Sequence, residues 1–430
     1  MTEQPDDAAV QRHVVRTLAL SNALGGVGVT MGIAVASLLM VEVSGTETYA
    51  GVVQTMQVLG TAVLSWWLAR VMAVRGRRAG LVGGYALGTL GAIGMVVAGA
   101  VGSVGLLLAA AVLFGAASAS NSQSRFAATD LATDAHRGRD LSLVVWATTI
   151  GAVAGPNLAD AGGTLATDLG LPPLTGPFLL TAVALTATGL IVQLRLRPDP
   201  LLLARRRAVE AVRGAALHET TQRAPAPAAP AHLVVRRRPA VAAAIASNAL
   251  AHAVMVSVMI MTPVHMHHGA ATLRLIGLTI SGHILGMYAF SPLVGRLVDR
   301  VGPPRTVLVG AGVILVAVLM SATAAVGASW WLGTGLFLLG LGWSLCLIAG
   351  STLITAATPS ADRAPVQGLA DLVLGLTSAA GGALAGVVVA FFGYPVLALT
   401  TLPAVAAIAA CALVAARAGQ PDARRARLGS

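Results

Sequence analysis

Twelve apolar runs divide this chain of 430 residues. Each is long enough to cross the ~30 Å hydrocarbon core of a bilayer as a helix of about 20 residues. They fall near 14–40, 48–72, 79–102, 103–131, 141–167, 174–194, 240–266, 272–298, 305–327, 328–357, 366–391 and 394–417. Six precede a polar interval and six follow it. Lipid leaves such runs two folds, helices or a closed barrel, because every backbone N–H and C=O must be satisfied within the chain. The runs are continuously apolar and rich in Gly and Ala rather than alternating at every second residue, which excludes the barrel.

The predicted fold class is therefore an all-α integral membrane protein. A composition of 56% hydrophobic and 10% charged residues agrees, since it cannot cover a soluble globule with polar surface. The 49 glycines let helix backbones approach closely, as at Gly83-Gly84, Gly151 to Gly155 and Gly381-Gly382. The domains read as a six-helix bundle at 1–194, a basic linker at 195–239, a second six-helix bundle at 240–417 and a tail at 418–430.

All 28 basic residues are arginine. Arg12, Arg16, Arg75, Arg77, Arg78, Arg137, Arg139, Arg300, Arg305, Arg363, Arg417 and the arginines of the tail fall on one side of the predicted bundle. Cytoplasmic loops carry the excess of positive charge, so both termini are expected in the cytoplasm and the chain in the plasma membrane. The net charge of +11 then reflects topology and contact with anionic lipid, not nucleic-acid binding.

Ten more arginines fall in the linker, around a Pro/Ala-rich tract at 224–231. Residues 201–217 are predicted as a short basic helix on the inner leaflet, and the interval as a whole as a tether. The acidic start, Glu3, Asp6 and Asp7, lacks the basic region of a cleavable signal peptide. Cys346 and Cys411 read as small buried hydrophobes, not as a disulfide or a metal pair.

The two sets of six spans repeat each other. Ser21-Asn22-Ala23-Leu24 recurs as Ser247-Asn248-Ala249-Leu250, an offset of 226 that also places Arg70 on Arg296, Gly76 on Gly302, Arg137 on Arg363 and Gly155 on Gly381. Paired repeats of this kind are the architecture of alternating-access transporters, whose sites lie near mid-membrane between the repeats. One chain holds both repeats, so a monomer is expected.

At Gly295-Arg-Leu-Val-Asp299-Arg300-Val-Gly302-Pro-Pro-Arg305 the chain resembles the major facilitator superfamily, whose loop motif is Gly-x-x-x-Asp-Arg-x-Gly-x-x-Arg. The resemblance extends over the whole length and implies twelve transmembrane helices in two pseudo-symmetric bundles. It also implies that Gly295, Asp299, Arg300 and Gly302 form a gating motif. An Asp at that place can accept hydrogen bonds from the positive N-terminus of a neighbouring helix and latch the inner gate. The equivalent positions of the first half are Ala69, Ala73 and Gly76, so the Asp is missing there. Gly151-x-x-x-Gly155-Pro156 is similar to a motif of proton-coupled antiporters in the same superfamily.

At one set of repeat positions the second half alone carries soft ligands: Met255, Met259, His283 and Met287 correspond to Val29, Ile33, Gln57 and Thr61. Met255 and Met259 share one helical stripe with His252, and His283 and Met287 share another. Thioether and imidazole donors in an apolar setting suit Cu(I). Met266, His267 and His268 would lie at the outer mouth as an entry point. The Met-x-x-x-Met and His-x-x-x-Met pairs also resemble, within the superfamily, the copper importers of cytochrome oxidase assembly. That resemblance implies copper as a substrate, whereas relatives sharing the background include riboflavin carriers. Met as plain core filler is the bland alternative.

Asp371, inside the eleventh span, is costly there and is the candidate coupling group. Arg125 and Asp130 are read as a gate pair or a structural ion pair. A substrate that is a small molecule or metal ion is expected, with the bilayer as the other partner and no cofactor. No Gly-x-Ser-x-Gly, His-Glu-x-x-His or phosphate-binding loop supports an enzyme. The competing transport reading is proton-coupled efflux, or vitamin-type uptake, of a small organic molecule.

Overall fold

In a computed structural model of the chain, residues 5–46, 49–216, 230–269, 273–324 and 329–418 are described. Among them the protein is helical throughout. The first half consists of α1 (Pro5–Ser44), α2 (Ala50–Arg75), α3 (Arg77–Val101), α4 (Val104–Ala127), α5 (Arg137–Asn157), α6 (Ala159–Asp168) and α7 (Gly176–Arg195). Two short helices occupy the linker, α8 (Pro200–Ala216) and α9 (Ala231–Arg237). The second half consists of α10 (Pro239–His268), α11 (Leu273–Tyr288), α12 (Ser291–Val301), α13 (Pro303–Ala322), α14 (Ser329–Ala357), α15 (Arg363–Thr400) and α16 (Leu402–Ala418).

Among the described residues nine helices are individually long and apolar enough to span a membrane, and the bent pair α5 and α6 makes a tenth. The remaining two predicted spans are hidden in that count by where helices break or run together. The eighth is divided between α11 and α12, where Pro292 opens the second piece. The eleventh and twelfth run together in a stretch ending at Ala418, and Gly393, with φ of 80°, breaks the helical path between them. The fifth span bends by 52° just after Pro156, which lacks the N–H that would continue the ladder.

The repeat is visible atom by atom. Ser21 Oγ donates to Leu18 O at 3.0 Å and Ser247 Oγ to Ala244 O at 3.0 Å, one bond displaced by 226 positions. Gly76 and Gly302 end equivalent helices with φ of 89° and 88°, a region that favours glycine. A Cβ on Gly155 would stand 2.7 Å from Val27 O, and one on Gly381 3.2 Å from the equivalent Ala253 O. Ser120 Oγ donates to Leu81 O at 3.3 Å where the Cys346 thiol approaches Val307 O at 3.9 Å. Cys346 therefore takes the place of a serine, buried between α13 and α14.

Compactness divides the chain differently from the repeat. One unit comprises Met1–Thr133, Ile150–Val234 and Thr358–Leu372; the other comprises Asp134–Thr149, Val235–Ala357 and Val373–Ser430. These boundaries differ from the predicted division at 194 and 240. The opening turns of α5 belong with second-half helices and those of α15 with first-half helices. Polar bonds hold both segments where they are.

Candidate functional site

In the first unit, six charged or amide side chains form one buried network. Arg77, the first residue of α3, grips Asp130 like a fork, Nε to Oδ2 at 2.7 Å and an Nη to Oδ1 at 3.2 Å. The other Nη reaches Gln123 Oε1 at 3.5 Å. Gln123 Nε2 passes the chain on to Asp371 Oδ2 at 2.8 Å, and Asp371 Oδ1 is ion-paired with Arg125. Gln367, one turn before Asp371 on α15, accepts from Arg77. Both side chains of the Arg77–Asp130 pair are fully buried.

The balance is two guanidiniums against two carboxylates. Burial of isolated charges would cost several kcal/mol each, roughly offset here by mutual attraction and by hydrogen bonds to the remaining donors and acceptors. The expected gate pair is corrected by this arrangement. Asp130 is bound by Arg77, and Arg125 by Asp371. Arg125 and Asp130 are five positions apart, not three or four, and α4 has already ended at Ala127, so no common helical face presents them.

Three members, Arg77, Gln123 and Gln367, escape a reading of the sequence. Arg77 looks like one more topological arginine beside Arg75 and Arg78. The available signal was the pair of amides within apolar runs, since a buried Gln needs partners as much as a charge does.

The second unit holds the loop motif. Asp299, near the end of α12, accepts from the backbone N–H of Gly138 at 2.8 Å through Oδ1 and of Arg139 at 2.9 Å through Oδ2. Both amides lie in the first turn of α5, where N–H groups lack helical partners and the helix dipole favours an anion. Burial pushes the Asp299 carboxyl above its ordinary value, and the two N–H groups pull it back in part. Gly295, one turn earlier, lets α12 touch α5: a Cβ there would be 2.6 Å from Gly138 O. Arg300 is exposed and Gly302 turns the chain into α13.

The Met and His stripes are also in the second unit, packed largely as core. Met255, Met266 and Met287 are 2%, 4% and 8% exposed members of its apolar core, and Met259 packs against them. Met266, expected at an outer mouth, is buried within this core; the side chains of His267 and His268 lie outside the described residues. Helix α14 engages both stripes. His283 Nδ1 bonds Leu336 O at 2.7 Å, and Met287 lies against Gly340. His252 Nδ1 accepts from Trp343 Nε1 at 2.8 Å. Tyr288 meets the same Trp343 edge to face, with ring centroids 5.8 Å apart.

Among the described residues no three His, Cys, Asp or Glu side chains gather as a metal site. The His283 Nε2 atom is buried without a hydrogen-bond partner there. What α10, α11 and α14 build is a group of half-buried His252 and Tyr288 around the buried ring of Trp343, polar at its nitrogens and oxygen and aromatic elsewhere.

Known proteins resemble this chain over nearly its whole length. A family model described as Major Facilitator Superfamily matches residues 18–273 and 254–429. An uncharacterized MFS-type transporter, YddS of Bacillus subtilis (strain 168), is 38% identical over 389 residues, covering 90% of this chain and 87% of that one. The riboflavin transporter RfnT of Brucella anthropi is 26% identical over 410 residues, 94% and 95% of the two chains. The crystal structure of the human organic anion transporter MFSD10 superposes with a TM-score of 0.70 over 94% of this chain and 99% of that one, at 16% identity.

Proposed function

Because this chain belongs to the Major Facilitator Superfamily, a family of multi-pass membrane transporters, we propose that it moves a small organic solute by proton-linked alternating access. It does so across the plasma membrane, with both termini in the cytoplasm. The observation that carries the reading is the Arg125–Asp371 ion pair. It joins a helix of the first repeat to a helix of the second near the arginine-rich ends of both. Opening that side requires the pair to part.

A proton on Asp371 is the natural release. The neutral acid no longer balances Arg125, and the network is left with one uncompensated guanidinium in a buried setting. Separation then lets water and solute reach both groups. Asp371, held by Gln123, serves as the coupling group and Arg125 as its counter-charge.

For the solute, His252, Trp343 and Tyr288 support a planar or aromatic organic molecule. Stacking on Trp343 and hydrogen bonds from the polar edges would recognise it. The riboflavin transporter among the relatives supports the same class. Copper is the second reading, favoured by the free Nε2 of buried His283 and the thioethers of Met255, Met259 and Met287. It requires those side chains to leave core positions to meet one ion.

Proteoliposomes separate the two. Riboflavin or a related planar vitamin should be taken up faster with an inward proton gradient, and the gradient effect should vanish in Asp371→Asn. Cu(I) uptake that is abolished by His283→Ala and Met255→Ala would install the copper reading instead. Flux of either solute that ignores both the gradient and Asp371→Asn would sink the proton-linked mechanism.

A further inference from the structure

The two halves should carry two latches, and Ala73 leaves the first without its carboxylate. Position 73 is the equivalent of Asp299 at the offset of 226. The donor side is altered as well. Gly138 and Arg139, whose amides hold Asp299, correspond to Ala364 and Pro365 at the start of α15, and proline has no N–H to give. Even an aspartate at 73 would find half of its acceptor geometry unanswered. The carboxylate and one of its two amide donors are both absent here.

Another residue fills the place. Arg205 of linker helix α8 donates one Nη to Ala73 O at 2.6 Å and the other to Ala361 O at 3.0 Å. It thus ties the end of α2 to the turn just before α15, the same two elements an aspartate latch would join. We infer that Arg205 is the positioning residue of the first-half latch, a guanidinium bridging two carbonyls where the second half uses a carboxylate bridging two amides.

The linker helix is itself anchored for this task. Asp199 caps it by accepting from Leu201 and Leu202 N–H at 3.1 and 3.2 Å through Oδ1, and through Oδ2 it accepts from Arg78 N–H at 2.8 Å. Gly76 makes room, since a Cβ there would lie 2.5 Å from the carboxylate. A helix pinned to the turn between α2 and α3 holds Arg205 at a fixed height beside α2. The linker is therefore part of the gate and more than a tether.

The inference draws its meaning from alternating access, but its test reads the latch directly. Full-length protein in lipid nanodiscs would carry spin labels at Val74→Cys and Ser360→Cys, with Cys411→Ala to remove the accessible native thiol. Pulsed dipolar spectroscopy should give one narrow distance population. Arg205→Ala should add a second, longer population, while Arg206→Ala, its exposed neighbour, should not. Adding Ala73→Asp and Pro365→Ala together to Arg205→Ala should restore the narrow population, because an aspartate latch with two amide donors is then rebuilt.

An unchanged distribution in Arg205→Ala, or an equal change in Arg206→Ala, overturns the inference. Where Arg205→Ala yields no folded protein by melting and gel filtration, Arg205→Gln keeps most of the stem while removing the bridge and is read in the same way. Absent solute flux with an intact latch response would count against the transport mechanism alone.

Discussion

Asp371 of α15 and Arg125 of α4 are 246 positions apart and form a buried ion pair, with side-chain exposures of 4% and 7%. The other ion pair of the network, Arg77 and Asp130, is fully buried and linked to Asp371 through Gln123. The Asp371–Arg125 pair is both a structural tie and the most sensitive point in the network. Its loss from one side is costly, and its loss from both sides is not.

Removing one partner should show this. Asp371→Leu or Arg125→Met alone leaves a buried uncompensated charge and should lower stability by about 3–5 kcal/mol. The double variant should recover most of that loss. A double-mutant cycle from chemical unfolding in detergent measures the coupling, and additive losses would show that the two side chains act independently.

The Asp299 latch predicts a pH dependence. Its carboxyl titrates above the ordinary value because it is buried, so the folded protein holds that proton more tightly than the unfolded chain does. The stabilisation linked to that proton is fully present below the unfolded value and is lost as pH rises through the folded one. Melting temperature followed from pH 4 to pH 7 should therefore contain a falling component that Asp299→Asn lacks. Parallel curves for the two proteins would contradict the assignment.

Glycine substitutions should divide by contact. A Cβ on Gly60 of α2 would run into the Val112 carbonyl of α4, whereas one on Gly312 of α13 meets nothing within 4 Å. Gly60→Ala should destabilise by about 1–3 kcal/mol through overpacking. Gly312→Ala should be stabilising by roughly 0.5–1 kcal/mol through helix propensity. Thermal melts of the two variants side by side would test the contrast.

The Ser120 and Cys346 positions should be exchangeable on one side. Cys346→Ser can donate to Val307 O as Ser120 does to Leu81 O, so its effect should stay below about 1 kcal/mol, the scale of one net hydrogen bond. Cys346→Val removes the donor and adds a methyl group beside Gly310, where the thiol already lies 2.7 Å from a Cβ built on that glycine. It should lower the melting temperature more than the serine does.

Much of the fold is legible because the signals are local or periodic. Apolar runs mark the helices, and the offset of 226 marks two halves. Pro156, Pro292 and Gly393 stand at breaks whose cause is the missing N–H or the positive φ at that residue. The site is less legible. Met255 and Met287 keep the spacing of ligands yet are buried as core, because helical periodicity cannot tell a stripe facing a cavity from one facing another helix. Arg77 and Arg205 look like topological charge until their partners are known.

The sequence by itself determined that this protein crosses a membrane as a bundle of helices in two related halves, because hydropathy over about 20 residues and a repeat are properties of the linear chain. It also marked Asp371 as a residue needing a partner, because a carboxylate among apolar neighbours cannot remain unpaired cheaply. Only the tertiary structure decided which partner. Arg125 rather than Arg77 meets Asp371, and Arg205 rather than an aspartate spans Ala73 and Ala361, because such bonds depend on distances across helices that no spacing along the chain encodes.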